Sequence, residues 1–176
     1  MTLGDRIVIM KDGFIQQVGT PTEVFDMPVN LFVAEFIGAP KMNTFKTNLI
    51  LENGQYYVTP YGAKIPVEGK KAAMLKEKNV QPGEIILGIR PEHLTLAEAG
   101  NPAAIPCTIR VNEMMGSELH LHVDVESGDK LIVRIPTITL EDEQRKAMVY
   151  GSKLHITFEG KVMHFFDIAT ERNLLA

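Results

Sequence analysis

Two patterns of apolar and polar residues divide this chain, and the change falls near residue 40. Before it, "RIVIM" (residues 6–10) is a continuous apolar run of the kind a strand shows when both faces are covered. Lys11 leads into Asp12-Gly13, a pair suited to the type I′ turn, and Phe14 to Val18 returns as the second strand of a hairpin. Next comes a short helix with Thr20 as N-cap, Pro21 at its first position and Glu23 as the reciprocal capping partner, stopped by Pro28. A second helix follows over "LFVAEFI", capped by Asn30 and closed by Gly38. It is apolar almost all round, so it should pack on several sides or lie between two units. Ala39-Pro40 then breaks the helical pattern and marks the best domain boundary.

Beyond Lys41 the pattern becomes short alternating strands punctuated by turns, the rhythm of a small barrel or sandwich. Asn53-Gly54 joins "NLILE" to "QYYVT", Pro60-Tyr61-Gly62 leads into "AKIPV", and Gln81-Pro82-Gly83 precedes "EIILGI". The stretch from Asn48 to Glu77 reads only as strands. "IPCTIRVNEMM", "ELHLHVDVE", "KLIVRIP", "KLHITFE" and "KVMHFF" continue the theme, and one helix is expected from Thr139 to Tyr150, capped at Thr139 or Asp142 and ended by Gly151.

Composition narrows the class. The 176 residues are 45% hydrophobic and 23% charged, which is globular rather than disordered. No apolar run approaches the roughly 20 residues of a membrane-spanning helix, and no basic-then-apolar leader is present, so a cytoplasmic setting is expected. A formal net charge of −4 argues against an electrostatic grip on nucleic acid. Lys70, Lys71, Lys76 and Lys78 are interspersed with Glu68 and Glu77 and read as a solvated face. The single cysteine, Cys107, sits on an alternating strand and reads as core.

Catalytic patterns fail when tested. The triplets Glu68-Gly69-Lys70 and Glu159-Gly160-Lys161 suggest a P-loop, but Lys64 and His155 stand where the first glycine is needed, and Lys71 and Val162 where a hydroxyl is needed. Both read instead as turns between strands. His120 and His122 share a strand face, yet spacing fixes no third ligand, so they read as a solvated face above a core, with no metal expected. Tyr56 and Tyr57 fall on opposite faces, which does not make a stacking platform for bases.

These residues alone describe an α/β remnant joined to a small all-β domain without catalytic machinery. The stretch from Met1 to Asn43, followed by "LGIRPEHL", "EMMGSELHLHV", "VRIP" and "HFFDIATE", closely resembles the C-terminal half of the ATPase subunits of carbohydrate ABC importers of the maltose and multiple-sugar type. Glu35 stands where that family commonly has glycine, and Met115 where it has leucine. The resemblance implies that residues 1–39 end a nucleotide-binding domain and that residues 40–176 form an OB-like regulatory β-barrel, the transport-associated OB (TOBE) domain. The P-loop, magnesium-binding carboxylate, catalytic glutamate, signature motif and switch histidine would then lie upstream of Met1, itself an internal methionine. No catalytic, metal or cofactor site is expected in this chain; ATP and Mg belong to the full-length subunit. Implied partners are a second copy of the subunit, the transmembrane permease subunits and a regulatory protein, on the inner face of the cell membrane.

The candidate interface or regulatory residues are those in matching motifs. Arg90, Pro91 and Glu92 lie in "GIRPEH", where Arg90 is expected to pair with a carboxylate and fix a corner between strands. Glu113, Gly116, Ser117 and Glu118 form an exposed turn suited to meeting a partner, or simply a capped turn with a supporting ion pair. The serine, alanine and asparagine run of the related molybdate-type importers is absent, so no oxyanion site is expected. The alternative reading is a stand-alone OB-like module for a small ligand or a regulatory protein. The apolar residues from Ile7 to Ile37 cannot stay ordered unaided, and are expected to pack onto the β-domain or exchange with a second chain.

Overall fold

A computed structural model describes residues 4–176; the reading of Met1 as an internal methionine lies outside them. The chain begins with the hairpin β1 (Ile7–Lys11) and β2 (Phe14–Gly19), turned by Asp12 and Gly13, both at positive φ. Two six-residue helices follow, α1 (Pro21–Asp26) and α2 (Leu31–Phe36). Thr20 and Glu23 form the reciprocal capping box, and the Asn30 carboxamide accepts from the Val33 N–H. The hairpin is covered on one face only. Ile9 is buried against Val24, Val33 and Ile37, whereas Val8 and Met10 are each 53% exposed, because α1 and α2 both lie on the Ile9 side. The expected two-sided burial is not found. α2 does sit between two units: Val33 faces the hairpin cluster, while Ala34 packs with Met42 and Phe166.

Two five-stranded antiparallel sheets make up the rest. One has the order β12-β6-β3-β4-β5, from β3 (Asn43–Glu52), β4 (Gln55–Val58), β5 (Ile65–Pro66), β6 (Gly83–Ile89) and β12 (His164–Phe166). The other has the order β10-β9-β8-β11-β7, from β7 (Thr95–Ala97), β8 (Ile105–Met114), β9 (Glu118–Val125), β10 (Lys130–Pro136) and β11 (Lys153–Thr157). Burial alternates strictly along β9, so Leu119, Leu121, Val123 and Val125 face inward, joined by Leu49, Val58, Ile65, Leu87 and Ile89 from the opposite sheet. Cys107 is buried in this core, and burial pushes its thiol up to about 12, consistent with a packing residue. The Asn43 carboxamide joins the sheets. It donates to the Ile132 carbonyl at 2.9 Å and accepts from the Ile132 N–H at 2.7 Å, standing in for a strand beside the edge strand β10.

Two helices differ from the sequence reading. A helix, α3, spans Gly69–Glu77, where only strands were expected. Its sequence, "GKKAAMLKE", is rich in strong helix formers, and Leu75 anchors it in the core. The helix expected over residues 139–150 is shorter: α4 covers Asp142–Ala147, preceded by a 3-10 turn at Thr137–Thr139. Its N-cap is Glu141, which forms a capping box with Gln144; Thr139 bonds back to the Pro136 carbonyl and Asp142 lies inside the helix. Met148 leaves the helix to enter the core, and Gly151 at φ 82° turns the chain into β11.

Of the two glycine-lysine triplets, the second is a turn whose glycine is required by space. A Cβ at Gly160 would lie 2.1 Å from the Pro66 carbonyl oxygen, a fixed backbone atom. At Gly88 in β6 the nearest obstacle is the Met42 Sδ at 2.5 Å, the end of a flexible side chain. Gly160→Ala is therefore expected to destabilise by about 3 kcal/mol and Gly88→Ala by about 1 kcal/mol, read from urea unfolding midpoints. The opposite order would show that the turn at Gly160 yields more easily than the packing around Gly88.

Candidate functional site

The "GIRPEH" corner connects the two sheets. β6 ends at Ile89, Arg90 takes an extended conformation, and Pro91 opens a single 3-10 turn over Pro91–His93 before β7. Pro91 is buried and Glu92 exposed. Arg90 is only 1% exposed, and its partners are not the carboxylate expected from sequence. Its Nη1 donates to the Ile37 carbonyl at 2.7 Å and its Nη2 to the Phe25 carbonyl at 2.6 Å. Phe25 lies in the last turn of α1, and Ile37 is the C-cap of α2. The guanidinium thus binds the C-terminal carbonyls of two helices at once, where acceptors lack intrahelical partners and the local dipole is negative. Its face stacks on the Phe25 ring, 3.5 Å from the centroid. Two planar donors set at a fixed angle do this; an ammonium cannot.

A second set of polar links ties residues 28–31 to the C-terminal tail. The Asn173 carboxamide donates to the Pro28 carbonyl at 2.7 Å, the Asn173 N–H to Val29, and the Leu31 N–H to the Glu171 carbonyl at 2.9 Å. Sequence reasoning missed Asn173, whose only signal was an isolated asparagine near the end of the chain. Glu35, at the position where glycine is common, reaches outward and accepts from the Thr44 hydroxyl at 2.8 Å.

The candidate turn residues divide between two tasks. Glu113, Gly116 and Ser117 are exposed, and Gly116 has φ 79°. Glu113 contacts the His122 ring at 3.1 Å on the polar strand face. Glu118 points back and receives a bidentate pair from Arg134 on β10, with Nε at 2.5 Å and Nη2 at 2.6 Å. Those bonds hold the Glu118 carboxyl below the usual carboxylate range. Glu92 lines the same groove as Arg134, together with Leu94, Leu96 and Leu140. Arg134, in the "VRIP" stretch, therefore brings the two candidate motifs together. The Ser117 carbonyl accepts the Thr137 N–H at 2.9 Å, which ties the turn that carries Ile138, 94% exposed, to the turn that follows exposed Met114 and Met115. Among the described residues no group of three or more His, Cys, Asp or Glu is placed to hold a metal ion, and no helix is long and apolar enough to cross a membrane.

This mainly β architecture, with its OB-like half-barrel, agrees with comparisons to known proteins. A MalK OB fold domain matches residues 38–94 and a TOBE domain matches residues 87–166. Residues 38–166 belong to these two domain families, and the chain's homologues are ABC transporter ATP-binding proteins. It is 38% identical over 175 residues to the Bacillus subtilis oligosaccharides import ATP-binding protein MsmX, across 97% of this chain and 45% of that protein. It is 36% identical over 174 residues to the uncharacterized ABC transporter ATP-binding protein YurJ of the same species, with 97% and 45% covered. The osmoprotective compounds uptake ATP-binding protein GgtA of Synechocystis is 33% identical over 164 residues, with 90% and 44% covered. The chain thus spans less than half the length of these relatives. Among solved structures, the cytoplasmic molybdate-binding protein ModG aligns with a TM-score of 0.55 at 10% identity, over 69% of this chain and 92% of that one, a likeness of fold alone.

Replacing Arg90 by methionine keeps the apolar stack on Phe25 and removes both donors, leaving two helix-end carbonyls without partners. The expected loss is about 3 kcal/mol in urea unfolding, with faster protease cleavage within residues 21–37 than elsewhere. Arg90→Lys, able to reach one carbonyl at a time, should fall between. A loss below about 1 kcal/mol for Arg90→Met would mean that the apolar contacts alone hold α1 and α2.

Proposed function

We propose that this chain is the regulatory and dimerisation portion of the ATP-binding subunit of a carbohydrate ABC importer. The observation that carries the reading is the match of residues 38–166 to MalK OB fold and TOBE domains, together with similarity along 97% of the chain to an oligosaccharide-import ATPase. In this reading ATP and Mg act in the full-length subunit. The chain itself supplies a rigid β platform that keeps paired subunits together while their nucleotide domains open and close. Its partners are a second copy, the permease subunits and a regulatory protein, and it works at the cytoplasmic face of the membrane.

The surface that fits a second copy is the rim around Ser117. Ile138, Met114 and Met115 are exposed apolar side chains there, Met114 at the paired end of β8 and the other two just beyond paired strands. Exposed apolar clusters of this kind mark interaction sites. Glu118 and Arg134 are already paired within the chain and serve to fix the rim.

Two measurements test the reading. Sedimentation of the 176-residue chain should show a dimer without ATP turnover, and Ile138→Glu should weaken self-association at least about tenfold, since it places a charge in an apolar contact. A wild-type monomer, or a dimer indifferent to Ile138→Glu, would remove the rim from the dimer interface. Disrupting the encoding gene in its host should abolish uptake of at least one labelled oligosaccharide, and unchanged uptake across a panel of such sugars would overturn the carbohydrate assignment.

A further inference from the structure

A cavity of about 320 Å³ opens between α1 and the β-domain, beneath the Arg90 clamp. Its walls come from the end of α1 and its C-cap (Phe25, Asp26, Met27), the start of α3 (Lys70, Lys71), the Arg90–His93 corner, the Lys161 turn and His164 on β12. Basic groups dominate, and one carboxylate, Asp26, faces them. Lys70, Lys71 and Arg90 have no carboxylate within ion-pair distance among the described residues, while Lys161 pairs with Glu159 at 2.5 Å. The expectation that Lys70 and Lys71 belong to a solvated face therefore holds for Lys70 alone, which is exposed. Lys71 is half-buried, and the Met27 sulfur at 3.7 Å is its only hydrogen-bond partner among the described residues. A thioether is a weak acceptor for an ammonium.

Several side chains that line the cavity carry buried polar atoms without partners. His164 is 5% exposed, and its Nδ1 is buried without a partner, as are the His93 Nδ1 and the Arg90 Nε. Buried polar atoms are nearly always satisfied, so these three unpartnered atoms mark an unusually polar surrounding for the cavity. Desolvation lowers the Lys71 ammonium and takes His164 down to about 3, with the neighbouring cations adding to the shift at His164. An anion in the cavity would offset part of both shifts, because an opposite charge favours the protonated forms that burial disfavours. The α3 N-cap, Glu68, makes no side-chain cap hydrogen bond.

We propose that this cavity binds a phosphate group, free or carried as a monoester. A phosphate carries between one and two negative charges at neutral pH and several acceptor oxygens, which suits a cavity lined by lysine ammoniums and imidazole rings from different elements. The volume exceeds what one phosphate fills, given about 30 Å³ for a water molecule. Asp26 accepts but does not donate, so it opposes a bare anion and favours an ester whose hydroxyl groups can donate to it. This site lies on the clamp side of the fold and is independent of the rim proposed for dimerisation.

The test follows the ring nitrogen signals of His93 and His164 by NMR in the 176-residue chain, titrated with inorganic phosphate and separately with glucose 6-phosphate, against chloride at matched ionic strength. Phosphate should produce saturable shifts with a Kd of about 1 mM or tighter. Lys71→Met should weaken that binding about tenfold while leaving the unfolding midpoint no lower, since it removes a half-buried ammonium without a good acceptor. Asp26→Asn should tighten inorganic phosphate about threefold. Tighter binding of glucose 6-phosphate than of phosphate identifies an ester as the occupant, and the reverse order identifies the free ion. Shifts that chloride reproduces, shifts unchanged in Lys71→Met, or no saturable shift with either phosphate would overturn the proposal.

Discussion

The structure depends on one guanidinium. Residues 21–37 form two helices of six residues each, too short to hold themselves in water, and their C-terminal carbonyls would be left without partners at the junction with the β-domain. Arg90 supplies both missing donors and shields its own face with Phe25. Burying a cation in this way is tolerable only because two carbonyl dipoles converge on it, in place of the carboxylate that an ion pair would need. The strand-to-strand corner and the attachment of the N-terminal segment are therefore one interaction. Asn173 closes the opposite side of the same segment through Pro28 and Val29, so the 21–37 unit is held by backbone-directed polar bonds at both ends and by the Ala34–Met42–Phe166 contact between them.

The β-domain uses the same device, a side chain acting on backbone. Asn43 completes the outer edge of β10 and so welds two sheets that share an apolar core. Edge strands left open invite pairing with other chains, and here the exposed edge is partly closed from within. Arg134 then carries rigidity from β10 to Glu118 and into the groove shared with Glu92. The exposed apolar side chains of Met114, Met115 and Ile138 lie at or just beyond the ends of these paired strands.

Local signals were legible where chemistry dictates geometry. The Asp12-Gly13 and Asn53-Gly54 turns, the Thr20–Glu23 capping box, the Asn30 cap and the inward alternation of β9 all follow from single-residue rules. α3 escaped because turn residues on either side and surrounding strands outweighed nine residues with good helix propensity and only one deeply buried side chain, Leu75. Arg90 was visible as a special position, but not its partners: main-chain carbonyls carry no residue label, so a sequence shows the donor and hides the acceptor. Lys71 was hidden for a related reason. Its neighbours along the chain are charged and polar, while the groups that bury it, Met27 and His164, come from α1's C-cap and β12.

The clamp and the basic cavity beneath it share Arg90, and that sharing limits what the junction can be. A purely structural joint would be better served by apolar side chains, since buried polar groups gain little over well-packed hydrocarbon and lose heavily when unmatched. Hydrocarbon does occupy the other contact between these units, at Ala34, Met42 and Phe166. Beside it, Lys71 meets only the weak Met27 sulfur acceptor, and the Nδ1 atoms of His93 and His164 have no partner among the described residues. An anion seated there would touch α1's C-cap region, α3 and β12 together, and would tighten the joint between the N-terminal segment and the β-domain in proportion to its own binding free energy. The junction is thus the place in this fold where a small charged molecule could alter how firmly one unit is held against the other.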